Sequence, residues 1–228
     1  MYETIRIVRK LKPKYVIWEN VKNLISDTHR HNFKQYLQSL NNMGYNSHYQ
    51  VLNAKDFGIP QNRPRIFVVS IREDEDMDDD LFVFPRPTQL KLKLHDLLED
   101  NVDEKYYLSD RMIKYIATSN EKWTGNNKKS LINKDIASTI NTGEGSRRCD
   151  ASNYISKDVG ENYNLKDNSD NTALRIRRLT PKECWRLMGF LDEEFEKAKQ
   201  VNSDTQLYKQ AGNSIVVNVL MEIFKNLF

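Results

Sequence analysis

Cysteine is nearly absent. The 228 residues contain two, Cys149 and Cys184, and no C-x-x-C pair. That excludes a disulfide framework and a cysteine-built zinc site. Histidine is scarce too: His29, His31, His48 and His95 show no H-E-x-x-H or comparable ligand spacing, so no metal is expected. No apolar run approaches the roughly 18 residues of a membrane span. Met1-Tyr2-Glu3 opens straight into helix-like sequence, without the apolar stretch of a signal peptide. These absences point to a soluble chain in a reducing, cytoplasmic setting with no membrane partner. The length suits one or two domains with a core that needs no disulfide.

Net charge is also small, at +3, but it is unevenly spread. Glu73 to Asp80 (EDEDMDDD) places seven acids in eight positions, and the rest of the chain stands at +10. Between Arg111 and Thr180, thirteen Lys and Arg face eight acids. A basic surface of this kind suits phosphate contacts, although a solvated face of mixed charge has the same composition. Self-repelling carboxylates mark the acidic run as a surface loop.

Apolar spacing predicts a helix over 2–11, stopped by Pro13. Tyr15-Val16-Ile17-Trp18 reads as a strand buried on both faces, ending at polar Glu19-Asn20. Phe33, Tyr36, Leu37, Leu40 and Met43 predict a second helix capped by Gly44. Strands follow over 45–52 and 65–71, giving α/β character. Phe84-Pro85-Arg86-Pro87 is a natural hinge. Residues 88–172 are rich in Asn, Ser, Lys and Gly, with short helices near 94–98 and 109–118 and no visible repeat. Thr180-Pro181-Lys182-Glu183 is a helix start with a capping box, running to Gly189. The last helix begins near Asn213-Ser214 and buries Val216, Val219, Leu220, Ile223 and Leu227.

Four short elements could carry chemistry. Glu19-Asn20-Val21 closes a buried strand, where ligands bind in open α/β sheets. Apolar walls there would raise the carboxyl pKa and suit it to proton donation; a plain strand cap is the simpler reading. In Gln61-Asn62-Arg63-Pro64-Arg65, extended backbone turns both arginines and Gln61 to one side, toward an anion or a base edge. Solvated charges at a strand end would look alike. Arg178 to Phe190 is explained as a capped amphipathic helix. Gly212-Asn213-Ser214 resembles a helix N-terminus, with backbone N–H groups for an anion or only for its own cap.

Taken together, the ENV, Q-x-R-x-R, R-x-L-T-x-x-E-x-x-R-L-x-G-F and G-N-S elements occur in an order and spacing that resembles the C-terminal portion of the cytosine-C5 DNA methyltransferases. The stretches KPKYVIWENV and VLNAKDFGIPQNRPRIFVVSIR also look like that family. The resemblance implies a partial Rossmann-like S-adenosylmethionine-dependent methyltransferase domain plus a small, irregular α+β target-recognition domain. Residues 1–84 would be half of the catalytic domain, 85–199 the recognition domain with its supporting helix, and 200–228 a helix returning to the catalytic domain. The partner would be double-stranded DNA, in a prokaryotic or phage, nucleoid-associated setting. Cytosine would be flipped out of the stack. Glu19 would hold the base edge and assist protonation at N3, Arg65 would contact the base carbonyl, and Arg63 would organise the site. Asn213 and Ser214 would lie near the methionine moiety of S-adenosylmethionine. Gln61, Arg147 and Arg148 would meet DNA, the last two from the turn Thr142 to Arg148.

The family's F-x-G-x-G cofactor loop and its Pro-Cys-Gln nucleophile loop are not in the sequence. Cys149 falls in the recognition region, and Cys184 reads as a buried structural thiol. The expectation is therefore a chain that neither binds S-adenosylmethionine tightly nor methylates DNA alone, with the apolar edge of strand 15–18 as an association site. A second polypeptide carrying the other half, a truncated methyltransferase, and a module that binds DNA without modifying it all fit.

Overall fold

A computed structural model describes residues 1–73, 82–118, 131–145, 153–165 and 174–228. Most of the acidic run, Cys149, Arg147 and Arg148 lie outside the described residues. In chain order the elements are α1 (Tyr2–Leu11), β1 (Tyr15–Val21), α2 (Arg30–Asn41), β2 (Tyr45–Asn53), β3 (Gln61–Asn62) and β4 (Pro64–Arg72). Then come α3 (Asp110–Thr118), β5 (Leu131–Ile132), β6 (Ala137–Ser138), β7 (Tyr154–Ser156), β8 (Tyr163–Asn164) and β9 (Ile176–Arg178). The chain ends with α4 (Pro181–Arg186), α5 (Asp192–Lys199), α6 (Asp204–Asn213) and α7 (Val217–Lys225). Two compact units form. One comprises Met1–Asn53, Pro64–Pro87 and Met221–Phe228; the other comprises Ala54–Arg63 and Thr88–Leu220.

The first unit is a three-stranded sheet in the order β1-β4-β2. Both outer strands run antiparallel to β4, with Tyr15 opposite Ile71 and Tyr45 opposite Arg72. Alternation along the strands sorts the faces. Val16, Ile66 and Val68 pack with Val8 of α1 and with Phe33, Tyr36 and Leu40 of α2 to make the core. The opposite face carries Glu19, Arg65 and Tyr15, with the Phe228 ring edge-on to Tyr15. α1 closes at Lys12, in the left-handed region at φ 44°, because Pro13 disfavours a helical predecessor. Gly44, at φ 82°, makes the tight exit from α2 that a side chain would strain.

Two strand expectations need correction. β1 is not buried on both faces: of Tyr15 to Trp18 only Val16 is buried. β1 has one strand partner among the described residues, whereas β4 is paired on both sides and buried from Ile66 to Ser70. Nor does β1 end at Trp18. The long central strand pairs it through Glu19, Asn20 and Val21, the last opposite Arg65.

The second unit holds a four-stranded sheet, β8-β5-β7-β9, and a two-stranded parallel pair, β3-β6. Ile113 and Ile116 of α3 pack on Ile132, Tyr154 and Ile176 of the larger sheet. In the same unit, Trp185 Nε1 of α4 donates to Leu207 O of α6 at 3.0 Å. Thr180 caps α4 as its sequence requires: its hydroxyl accepts from Glu183 N, and the Glu183 carboxylate accepts from Thr180 N.

Candidate functional site

In the first unit, Glu19 and Arg65 come together across two strands. Arg65 faces Val21 in the ladder, so it shares a sheet face with Glu19 one diagonal step away. Arg65 Nε lies 3.1 Å from Glu19 Oε1, with the two side chains 16% and 17% exposed. Burial lowers the Arg65 pKa, and the Glu19 charge opposes that shift. The surroundings of Glu19 are thus not only apolar walls: a guanidinium is its neighbour. The pair offers an acceptor edge and a donor edge, both in reach of a planar polar ligand.

Gln61 and Arg63 belong to the second unit and are buried there. Gln61 Nε2 donates to Leu187 O at 2.6 Å, and Gln61 Oε1 accepts from Ile140 N at 2.9 Å. Arg63 donates from Nη1 to Ile140 O at 2.7 Å, and from Nη2 to Gly212 O and Ser214 O at 3.0 Å each. Neither side chain presents itself to solvent. The expected common projection of Gln61, Arg63 and Arg65 toward one anion gives way to two environments: Gln61 and Arg63 converge on the Ile140 backbone, and Arg65 pairs with Glu19. β3 ends at Asn62 and pairs with β6, whereas β4 begins at Pro64 and pairs with β1 and β2.

Asn213 and Ser214 do not open a helix. Asn213 is the last residue of α6, and Ser214 caps its carboxyl end, its N–H bonding back to Gln210 O. α7 starts only at Val217. The amides expected for an anion therefore serve the end of α6. Asn213 is exposed, and Ser214 Oγ donates to Ala211 O at 3.0 Å. Of the residues expected in the last helix, Val216, Val219 and Ile223 are buried, whereas Leu220 and Leu227 are half-buried.

Cys184 is fully buried, and burial, with Glu144 and Glu183 nearby, pushes its thiol well above the ordinary range. It is no nucleophile in this state. Beside it, Glu183 takes Arg177 through both guanidinium ends at 2.8 Å, plus the Thr180 and Glu99 amides. Local sequence gives Arg177 little to mark it: it is one of two adjacent arginines between Ile176 and Leu179, and only the alternation of a strand would turn one of them inward. Among the described residues no cluster of His, Cys, Asp and Glu is placed to hold a metal ion. Nor is any helix there long and apolar enough to cross a membrane.

Comparison with known proteins gives a consistent outcome. The model of C-5 cytosine-specific DNA methylases matches residues 1–228. The type II methyltransferase M2.ScrFI of Lactococcus lactis subsp. cremoris is 40% identical over 238 residues, covering 100% of this chain and 58% of the relative. M.Bsp6I of Bacillus sp. (strain RFL6) is 34% identical over 240 residues, covering 100% and 69%. The chain thus spans little more than half of the first relative's length. Among solved structures, the S. pombe Dnmt2 methyltransferase superposes with a TM-score of 0.71 at 23% identity, covering 99% of this chain and 70% of that one. The Entamoeba histolytica methyltransferase EhMeth gives 0.72 at 18%, covering 99% and 68%. These two likenesses establish a shared α/β fold.

Proposed function

The chain belongs to the C-5 cytosine-specific DNA methylase family, and from that premise we propose that it is the base-holding and DNA-recognising portion of a DNA (cytosine-5-)-methyltransferase. The observation that carries this reading is the accessible Glu19–Arg65 pair on one sheet face. A cytosine flipped from the duplex would set its N3 edge against Glu19 and its carbonyl against Arg65. As a thiolate adds to C6, charge builds on the ring. A proton held by Glu19 at N3, and the Arg65 guanidinium at the carbonyl oxygen, would neutralise it. Residues 1–84 and 200–228 supply the catalytic half in this reading. Residues 85–199 supply recognition, with Arg147 and Arg148 on DNA.

S-adenosylmethionine supplies the methyl group in this chemistry. The residues expected to hold it here fit only a small share of such a molecule: an exposed Asn213 side chain, and a Ser214 hydroxyl already donating to Ala211 O. They form no cradle, and the thiol at Cys184 is buried. We therefore assign both the cofactor loop and the nucleophile to sequence outside this chain, on a second polypeptide or on a longer form of the same protein. The burial of Cys184 also favours a second reading for the chain alone, namely a module that binds a DNA site without modifying it.

The test is reconstitution. The chain is mixed with a polypeptide bearing F-x-G-x-G and Pro-Cys-Gln, and labelled methyl transfer to DNA is followed. Transfer should need both parts and should collapse with Glu19→Gln. Transfer that survives both Glu19→Gln and loss of the Pro-Cys-Gln cysteine would overturn the assignment. Tight S-adenosylmethionine binding by this chain alone, measured by calorimetry, would overturn the division of labour.

A further inference from the structure

Gln61 and Arg63 do more than end a loop. Four polar groups of the segment 137–140 meet the stretch 60–63, while those of Ser138 turn to Asn153 and Lys134. Ala137 N donates to Pro60 O at 2.8 Å, and Thr139 Oγ1 donates to Asn62 O at 2.7 Å. Gln61 accepts from Ile140 N, and Arg63 donates to Ile140 O. Beyond Ile140 the chain turns through exposed Asn141 and Thr142, which lie directly on Gly212. A Cβ at Gly212 would stand 2.4 Å from Thr142 N and 2.5 Å from the Asn141 carbonyl carbon. The same Arg63 guanidinium that holds Ile140 also holds the Gly212 and Ser214 carbonyls.

We propose that Arg63, with Gln61, is a positioning residue that bolts the exposed Asn141–Gly143 tip to the Gly212–Ser214 loop, so that the two loops order and loosen as one body. A planar fork can satisfy several carbonyls at once, which an ammonium cannot do in the same geometry. The glycine permits the contact, and the arginine fixes it. Resting on the proposed function, this ties the DNA-side tip to the loop assigned to the cofactor side. It also makes the tip, and not Gln61 or Arg63, the element that meets DNA.

The test uses the full chain and two levers. Arg63→Gln removes the fork. Gly212→Ala leaves every charge in place and drives a methyl into the Asn141–Thr142 backbone. Hydrogen exchange should rise about tenfold or more in 139–144 and 212–216 together in both variants, with 45–53 unchanged. Acceleration confined to one loop, or spread evenly over the chain, overturns the bolt. Should Arg63→Gln fail to fold, Gly212→Ala decides this arm by the same criterion. Binding to a random-sequence duplex pool supplies the second arm. Arg63→Gln should weaken binding while leaving the salt dependence unchanged; a slope shallower by about 0.9 would make Arg63 a phosphate ligand instead. If the chain binds no duplex, the functional reading fails while the exchange arm still decides the bolt.

Discussion

Glu19 in the first unit and Glu183 in the second each face an arginine, yet the two pairs are built differently. Arg65 Nε lies 3.1 Å from Glu19 Oε1, and both side chains stay partly open to solvent. Glu183 is fully buried and takes both ends of Arg177 as well as the Thr180 and Glu99 amides. An accessible pair can trade a water contact for a substrate edge at little cost. A saturated buried pair can change partners only by stranding a charge in low dielectric. Exposure and saturation, rather than the presence of an acid beside an arginine, separate a candidate reactive pair from a structural staple.

The largest expected effect tests the first pair through catalysis. In the reconstituted enzyme, Glu19→Gln should cut methyl transfer by about two to four orders of magnitude. The urea midpoint of the chain should move little, because glutamine keeps the shape and a carbonyl acceptor toward Arg65 and the side chain is partly exposed. A large stability loss with transfer intact would reverse the comparison. The second pair should respond in the opposite sense. Arg177→Met leaves Glu183 buried without its cation and should cost about 3–5 kcal/mol of stability, read from denaturant unfolding. Replacing both partners by apolar residues should recover much of that loss, as the double variant strands no charge. One step smaller, Thr180→Ala removes the hydroxyl that caps α4 and should cost about 1 kcal/mol.

Local signals explain what could be read from sequence. The capping box at Thr180 and Glu183 needs only four residues, and the left-handed Gly44 needs one. β4 announced itself by an apolar run that a central strand requires. Gly212-Asn213-Ser214 is ambiguous in sequence, because a polar pair after glycine suits either end of a helix. What decides is Ser203, ten residues upstream of Asn213, which caps α6 by accepting from Gln206 N. Arg63 was beyond local reading altogether. Its acceptors lie 77, 149 and 151 residues away, and they are backbone carbonyls that carry no residue identity. Arg65, two positions on, meets a side chain, and that contact leaves a trace in sequence as an acid on a neighbouring strand.

A last comparison lies between these pairs and the surface cluster of α4 and α5, and it gives the smallest effect. Arg186 grips Asp192 at 2.8 and 2.7 Å, and Lys182 adds a contact at 3.2 Å. The Arg186 hydrogen bond is the main cause that holds the Asp192 pKa down, at about 2, against the opposing effect of partial burial. The folded pKa therefore lies below the unfolded value of roughly 3.9. A depressed carboxylate contributes stability that is fully present above the unfolded pKa and is lost as pH falls through the folded one. Asp192 is 46% exposed, so solvent and salt screen the contribution. Urea midpoints of wild type and Asp192→Asn should differ slightly at pH 5, converge as pH approaches about 2, and differ less at high salt. A gap that persists unchanged into acid would show that Asp192 acts through its place at the start of α5 and not through its charge. In that case the graded series from open pair to buried staple would lose its exposed end.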